Sequence, residues 1–181
     1  MFKILNSKNE YAYVIKKNSS VLYEIAYEAE GTENSVEITQ YFDNHPNEPN
    51  GSLTVIHTHK NYSAFSADDY EVFLKHKSIK NMIVYNALGK YYFMQRNNSH
   101  LFYLISHREK YNSLIEHVDN LLEWLTYKQY SVLSEVEKDR VKRFKRYKNE
   151  FCCRVMDDFF FETCKYLDVK YYPKEVAENG T

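Results

Sequence analysis

Two strand-like runs open the chain. Tyr11-Ala-Tyr-Val-Ile15 and Val21-Leu-Tyr-Glu-Ile-Ala-Tyr27 are rich in β-formers, and the polar link Lys16-Lys-Asn-Ser-Ser20 between them predicts a hairpin. Gly31-Thr-Glu-Asn-Ser35 turns again before Val36-Glu-Ile-Thr-Gln40, and Asn44-His-Pro-Asn-Glu-Pro-Asn-Gly51 reads as a loop. Leu53-Thr-Val-Ile56 alternates poorly, as a buried strand does, and this strand runs on to His59. Tyr70, Phe73 and Leu74 recur at helical spacing after Ser66 and predict a short helix over residues 67–76. Strands follow at Asn81-Met-Ile-Val-Tyr85 and Tyr91-Tyr-Phe-Met-Gln95, joined by a turn at Leu88-Gly-Lys90.

Near Ser106 the period becomes helical. Tyr111, Leu114, Ile115, Val118, Leu121, Leu122 and Leu125 form one stripe, and a second long helix is predicted over residues 131–167. The pattern implies an α+β core over residues 1–105, a mixed β-sheet flanked by helices, followed by a C-terminal helical extension over residues 106–181.

Composition narrows the function classes. With 44% hydrophobic residues the chain can build a core, and a formal net charge of -1 gives no global field to attract nucleic acid or an anionic membrane. No apolar stretch reaches ~18 residues and the start, Met1-Phe-Lys-Ile-Leu-Asn6, lacks a signal-peptide core, so a cytoplasmic protein without membrane contact is expected. Cys152, Cys153 and Cys164 are an odd set, read as reduced thiols rather than a disulfide frame. The basic run from Lys138 to Lys148 reads as a solvated amphipathic helix. Phe159, Phe160, Phe161 and Tyr166 suggest packing on the core, on a second copy to give a homodimer, or on a protein partner of the C-terminal helices.

The densest chemistry lies in His57-Thr-His59 with Ser66-Ala-Asp-Asp69. Histidines at i and i+2 of a strand point to one face, where their nitrogens can reach one ion. With Asp69 they make three ligands for a borderline divalent metal such as Zn2+, leaving a position open for water. Ser66-Ala-Asp-Asp69 also has the form of a helix capping box, and the two readings are compatible, because a ligand at a helix start needs that helix fixed. His45, His76, His100, His107 and His117 show no mutual ligand spacing.

The H-x-H, serine and aspartate pattern resembles the metal-site motif of the JAMM (JAB/MPN) metalloprotease family. The preceding order, Glu10-Tyr-Ala-Tyr-Val-Ile15, a turn, a strand and Glu30-Gly-Thr-Glu-Asn-Ser-Val-Glu37, looks like that of small prokaryotic and phage-type JAB domains over residues 10–96. Lys60-Asn-Tyr-Ser63 stands where family members usually carry a proline, and the spacer to Ser66 is one residue shorter than is common. The resemblance implies a JAB/MPN-like fold and zinc held by His57, His59 and Asp69. It also implies Glu10 as general base and Ser66 as oxyanion donor in hydrolysing an amide of a protein or peptide substrate, among them a ubiquitin-like conjugate. Glu24, Glu28 and Glu30 lie in the same region as Glu10, and Glu24 is the alternative base. Two other functions stay open: a JAB-fold binding or assembly module without activity, and hydrolysis of a phosphoester at the same ion.

Overall fold

The computed structural model describes residues 7–19, 22–60, 63–87, 89–97, 118–166 and 169–174. In chain order the elements are β1 (Tyr11–Lys17), β2 (Tyr23–Glu30), α1 (Thr39–Asn44), β3 (Leu53–Thr58), α2 (Ala67–Lys75), β4 (Ile79–Tyr85) and β5 (Tyr91–Arg96). Then come α3 (Val118–Ser131), α4 (Glu135–Arg143), α5 (Lys145–Tyr166) and β6 (Val169–Lys174). The chain is α+β, with one mixed sheet in the order β2-β1-β3-β4-β5-β6. Among the described strands only β3 and β4 run parallel, a pairing that needs a crossover connection, supplied here by α2.

Side-chain alternation builds the core face of that sheet in rows. Val14, Val55, Met82 and Met94 are successive cross-strand partners, and Ala12, His57, Val84 and Tyr92 form the next row toward the C-terminal end of β3. All of the first row is fully buried, so His57 extends an apolar face in which a polar ring needs a reason to be. Tyr70, Phe73 and Leu74 of α2 cover this face together with Phe159 and Phe160 of α5, each of the five fully buried and contributing about 1.5–3 kcal/mol. The other end of α2 is fixed as well. Buried Arg96 on β5 lies 4.3 Å from the Phe73 ring and donates from Nε to the Ile79 carbonyl at 2.7 Å, with Nη2 directed at the Leu74 and His76 carbonyls. A cation at these last carbonyls suits the negative end of the helix.

Several expectations change. The helix predicted over residues 131–167 is two helices, because Ser134 starts α4 with its own capping box and Phe144 adopts an extended conformation between α4 and α5. The C-terminal segment is not wholly helical: Val169–Lys174 pairs antiparallel with β5 and closes the sheet edge. Pro173 is tolerated there, near the end of an edge strand. Thus α5 and β6 share the sheet and core of the first half, while the boundary expected near Ser106 lies outside the described residues. Val36–Gln40 leads into a helix, α1, whose Tyr41 and Phe42 are buried.

Phe159 and Phe160 pack on Phe65 and Tyr70, so most of the aromatic cluster proposed for self-association is core; Phe161 is exposed. The basic run is a solvated surface as expected, for α4 buries no residue and pairs Arg143 with Asp139 at 2.7 Å. His45 and His76 are structural, stacking on Tyr41 and Phe42. His100, His107 and His117 lie outside the described residues. The three cysteines are free thiols, and no described helix is long and apolar enough to cross a membrane.

Candidate metal centre

Strand geometry and one helix cap bring His57, His59 and Asp69 together. His57 is the last core-facing residue of β3, and His59 follows by two, its backbone N–H donating to the Tyr85 carbonyl at 2.7 Å as the sheet ends. Asp69 is the third residue of α2. The Asp69 backbone N–H donates to Ser66 Oγ at 3.1 Å, and the Asp69 Oδ2 atom accepts from the Ser66 backbone N–H at 2.6 Å. The capping box expected from the sequence is present, and it aims the carboxylate: Asp69 Oδ1 lies 3.4 Å from His57 Nε2, and Oδ2 lies 3.3 Å from His59 Nε2. The three donor atoms lie within 4.8 Å of one another. Ligands ~2.0–2.1 Å from a tetrahedral ion stand ~3.3–3.4 Å apart, so the carboxylate already has ligand spacing to both rings.

Burial is deep enough to make the protonation states unequal. His57 is 4% exposed, and burial, opposed by the Asp69 charge, pushes its pKa down to about 4; the ring is neutral at pH 7. His57 Nε2 is buried without a hydrogen-bond partner, a cost that a cation at this point would remove. Burial would also lower His59, but the hydrogen bond and charge of Asp69, the charge of Glu10 and a hydrogen bond that the ring donates to the Ser63 backbone outweigh it and raise its pKa. For Asp69 burial works against ionisation, yet the two imidazoles and the Ser66 N–H hold the carboxyl well below the usual carboxylate range. His57 and Asp69 are thus in metal-binding form at neutral pH, while His59 holds a proton more tightly than a free imidazole and must be without it for Nε2 to bind an ion.

Metal affinity therefore depends on pH with a definite sign. Below the His59 pKa, which lies above 6.5, a proton competes for Nε2, and Zn2+ affinity is expected to weaken about tenfold per pH unit as pH falls. Above that pKa it levels off. Competition titration with a chromophoric chelator between pH 5.5 and 8.5 measures the slope, and a flat profile would remove His59 from the ligand set.

The register of β1 against β3 settles where the acidic candidates lie. Partner numbers run Ala12 to His57 and Lys16 to Leu53, so Glu10, one residue before β1, comes opposite His59 on the same face. Its side chain is 3% exposed, and Oε1 accepts from the Lys60 N–H at 3.4 Å. Burial raises the Glu10 pKa, while His59 and the Lys60 N–H pull it back. Glu24 pairs with Lys16 at the other end of β1, roughly 20 Å of strand from Glu10, and is exposed. The structure thus brings Glu10 to His57, His59 and Asp69 and leaves Glu24 away from them. Ser66 is part of the same cluster through its hydrogen bonds to Asp69.

Residues that pattern reasoning missed complete the surroundings. Ser63 Oγ is 2.8 Å from His59 Nδ1, so it can accept the ring N–H and leave Nε2 free for an ion. Its only signal was a hydroxyl four residues past a candidate ligand. Lys60 supplies a backbone N–H that Glu10 Oε1 accepts, which a proline at this position would lack. Phe65 stacks against His57 with centroids 6.5 Å apart. Gly31 holds Glu10 from behind: its N–H donates to the Glu10 carbonyl at 2.9 Å, and a Cβ there would stand 1.9 Å from the Ser35 carbonyl oxygen. No protein-family model, no curated protein and no solved structure matches the chain. Function is argued from the site alone.

Proposed function

We propose that this protein is a zinc-dependent peptidase or isopeptidase of the JAMM (JAB/MPN) type, hydrolysing an amide bond of a protein or peptide substrate. The observation that carries the reading is the buried carboxylate of Glu10, set opposite His59 and beside three converging metal donors. Two imidazoles and a carboxylate with His57 Nε2 lacking a hydrogen-bond partner are a donor set suited to Zn2+, which when bound would supply a water of pKa near ~7 as nucleophile.

The chain's own groups then divide the remaining work. Glu10, its pKa raised by burial, takes the proton of the nucleophile and delivers it to the leaving amine. Asp69 and His57 hold their metal-binding protonation states at neutral pH, and Ser63 keeps the His59 ring oriented. Ser66 Oγ accepts from the Asp69 N–H, which leaves its own proton to donate to a developing oxyanion, worth ~2.7–4 kcal/mol when such donors are well placed. Cys153 and Cys164 are disfavoured as nucleophiles by the same physics: burial pushes Cys153 up to about 11 and Cys164 up to about 12, so both stay thiols.

Cleavage of a fluorogenic peptide panel and of a peptide linked through a lysine side chain tests the reading. Turnover is expected to vanish with a chelator and return with added Zn2+. Cleavage that survives complete metal removal would overturn it.

A further inference from the structure

A cavity of about 470 Å³ lies between the start of β5 and helices α4 and α5. Its lining includes Tyr92, which shares a cross-strand row with Val84 and His57, so this wall lies on the same face and at the same end of the sheet as His57. Strands are ~4.8 Å apart, which puts that row position roughly 10 Å from His57, the span of about three residues of extended peptide. Cys153, on another wall, hydrogen-bonds the Ala64 backbone in the loop that joins His59 to Ser66. Residues 63–66 therefore touch a wall of the cavity at Ala64 and hold Asp69 through Ser66.

Its charges are equal in number but not equally occupied. Lys90, Arg140 and Arg154 face Glu137, Glu150 and Asp157. Each carboxylate has a partner of its own: Glu137 accepts from Ser134 at 2.9 and 2.7 Å, Glu150 from Arg146 at 2.9 Å, and Asp157 from the Tyr171 hydroxyl. The two arginines are held differently. Arg140 lies over the Tyr147 ring at 5.6 Å and Arg154 over the Phe151 ring at 6.0 Å, and among the described residues neither makes an ion pair. Each guanidinium lies within cation–π range of a ring while its N–H fork remains to bind an anion, and that fork matches a carboxylate. The resident carboxylates would repel a polyanion such as nucleic acid but leave room for one negative group. Val141 and Tyr147 offer apolar surface for the methylenes behind it.

We infer that this cavity is a substrate subsite for an acidic side chain, about three residues from the amide held at His57, His59 and Asp69. The inference rests on the peptidase reading for its substrate, but the binding it asserts is measurable without turnover. Fluorescence anisotropy with a labelled Ala-based octapeptide carrying two Glu residues, and with its Gln counterpart, tests it on the full chain with and without Zn2+. The Glu peptide is expected to bind at least about tenfold more tightly. The double variant Arg140→Gln, Arg154→Gln should lose that preference with an unchanged circular dichroism spectrum, both residues being exposed.

Equal binding of the two peptides, binding of neither, or a preference that persists in the double variant would overturn the subsite. So would tighter binding of inorganic phosphate or an oligonucleotide than of the Glu peptide. Retention of the preference in His59→Ala supports the subsite whatever becomes of the metal, which separates its failure from failure of the peptidase reading.

Discussion

Glu10→Gln should abolish most turnover while leaving the metal in place. The substitution keeps the size of a side chain that is 3% exposed and retains an oxygen to accept from the Lys60 N–H, so the packing around it is preserved. What it loses is the ability to take a proton. A general base of this kind is worth ~10²–10⁴-fold, and kcat should fall by that factor with KM little changed. Glu24→Gln supplies the contrast, since Glu24 is exposed at the far end of β1 beside Lys16 and should leave rate and metal content unaltered. Steady-state kinetics with metal analysis of the same samples decides. Full activity in Glu10→Gln would remove the mechanism proposed for this site.

His59→Ala should weaken Zn2+ binding by more than ~100-fold, because even outer-shell partners of metal ligands are worth 10–100-fold and His59 is a direct donor. The ring is buried, so its removal leaves a gap in the structure and calls for a second variant that does not. Asp69→Asn serves. The amide oxygen can still accept from the Ser66 N–H, preserving the α2 cap, while the negative charge that complements the ion is gone. Both variants should lose zinc, and a retained circular dichroism spectrum in Asp69→Asn separates loss of the ligand from loss of the fold.

Legibility in the sequence followed the range of the interactions involved. The i, i+2 histidines and the Ser66 to Asp69 cap depend on spacing within one strand and one helical turn, and the structure places both as the pattern implies. The hairpin of β1 and β2 was equally local. Glu10 was a matter of order along the chain only: that it meets His59 depends on the β1 and β3 register, set between segments far apart in sequence. The start of α4 is signalled by Ser134 with Glu137, a capping box inside an otherwise periodic stretch, whereas the break between α4 and α5 at Phe144 is marked by no special residue. Strand β6 was hidden because its pairing is with β5, across the whole helical segment, and its short Val-Lys-Tyr-Tyr run carries too few residues to assert a period. The role of Lys60 carries no signal in the sequence, because it acts through its backbone N–H, which donates to Glu10 Oε1.

Native mass spectrometry of the intact chain after exposure to Zn2+ and removal of excess ion tests the metal centre most directly. One zinc per wild-type chain and none in His59→Ala or Asp69→Asn is the expected result, with His57, His59 and Asp69 as the donors that converge within 4.8 Å. Equal zinc content in wild type and both variants would contradict it and move any bound metal elsewhere.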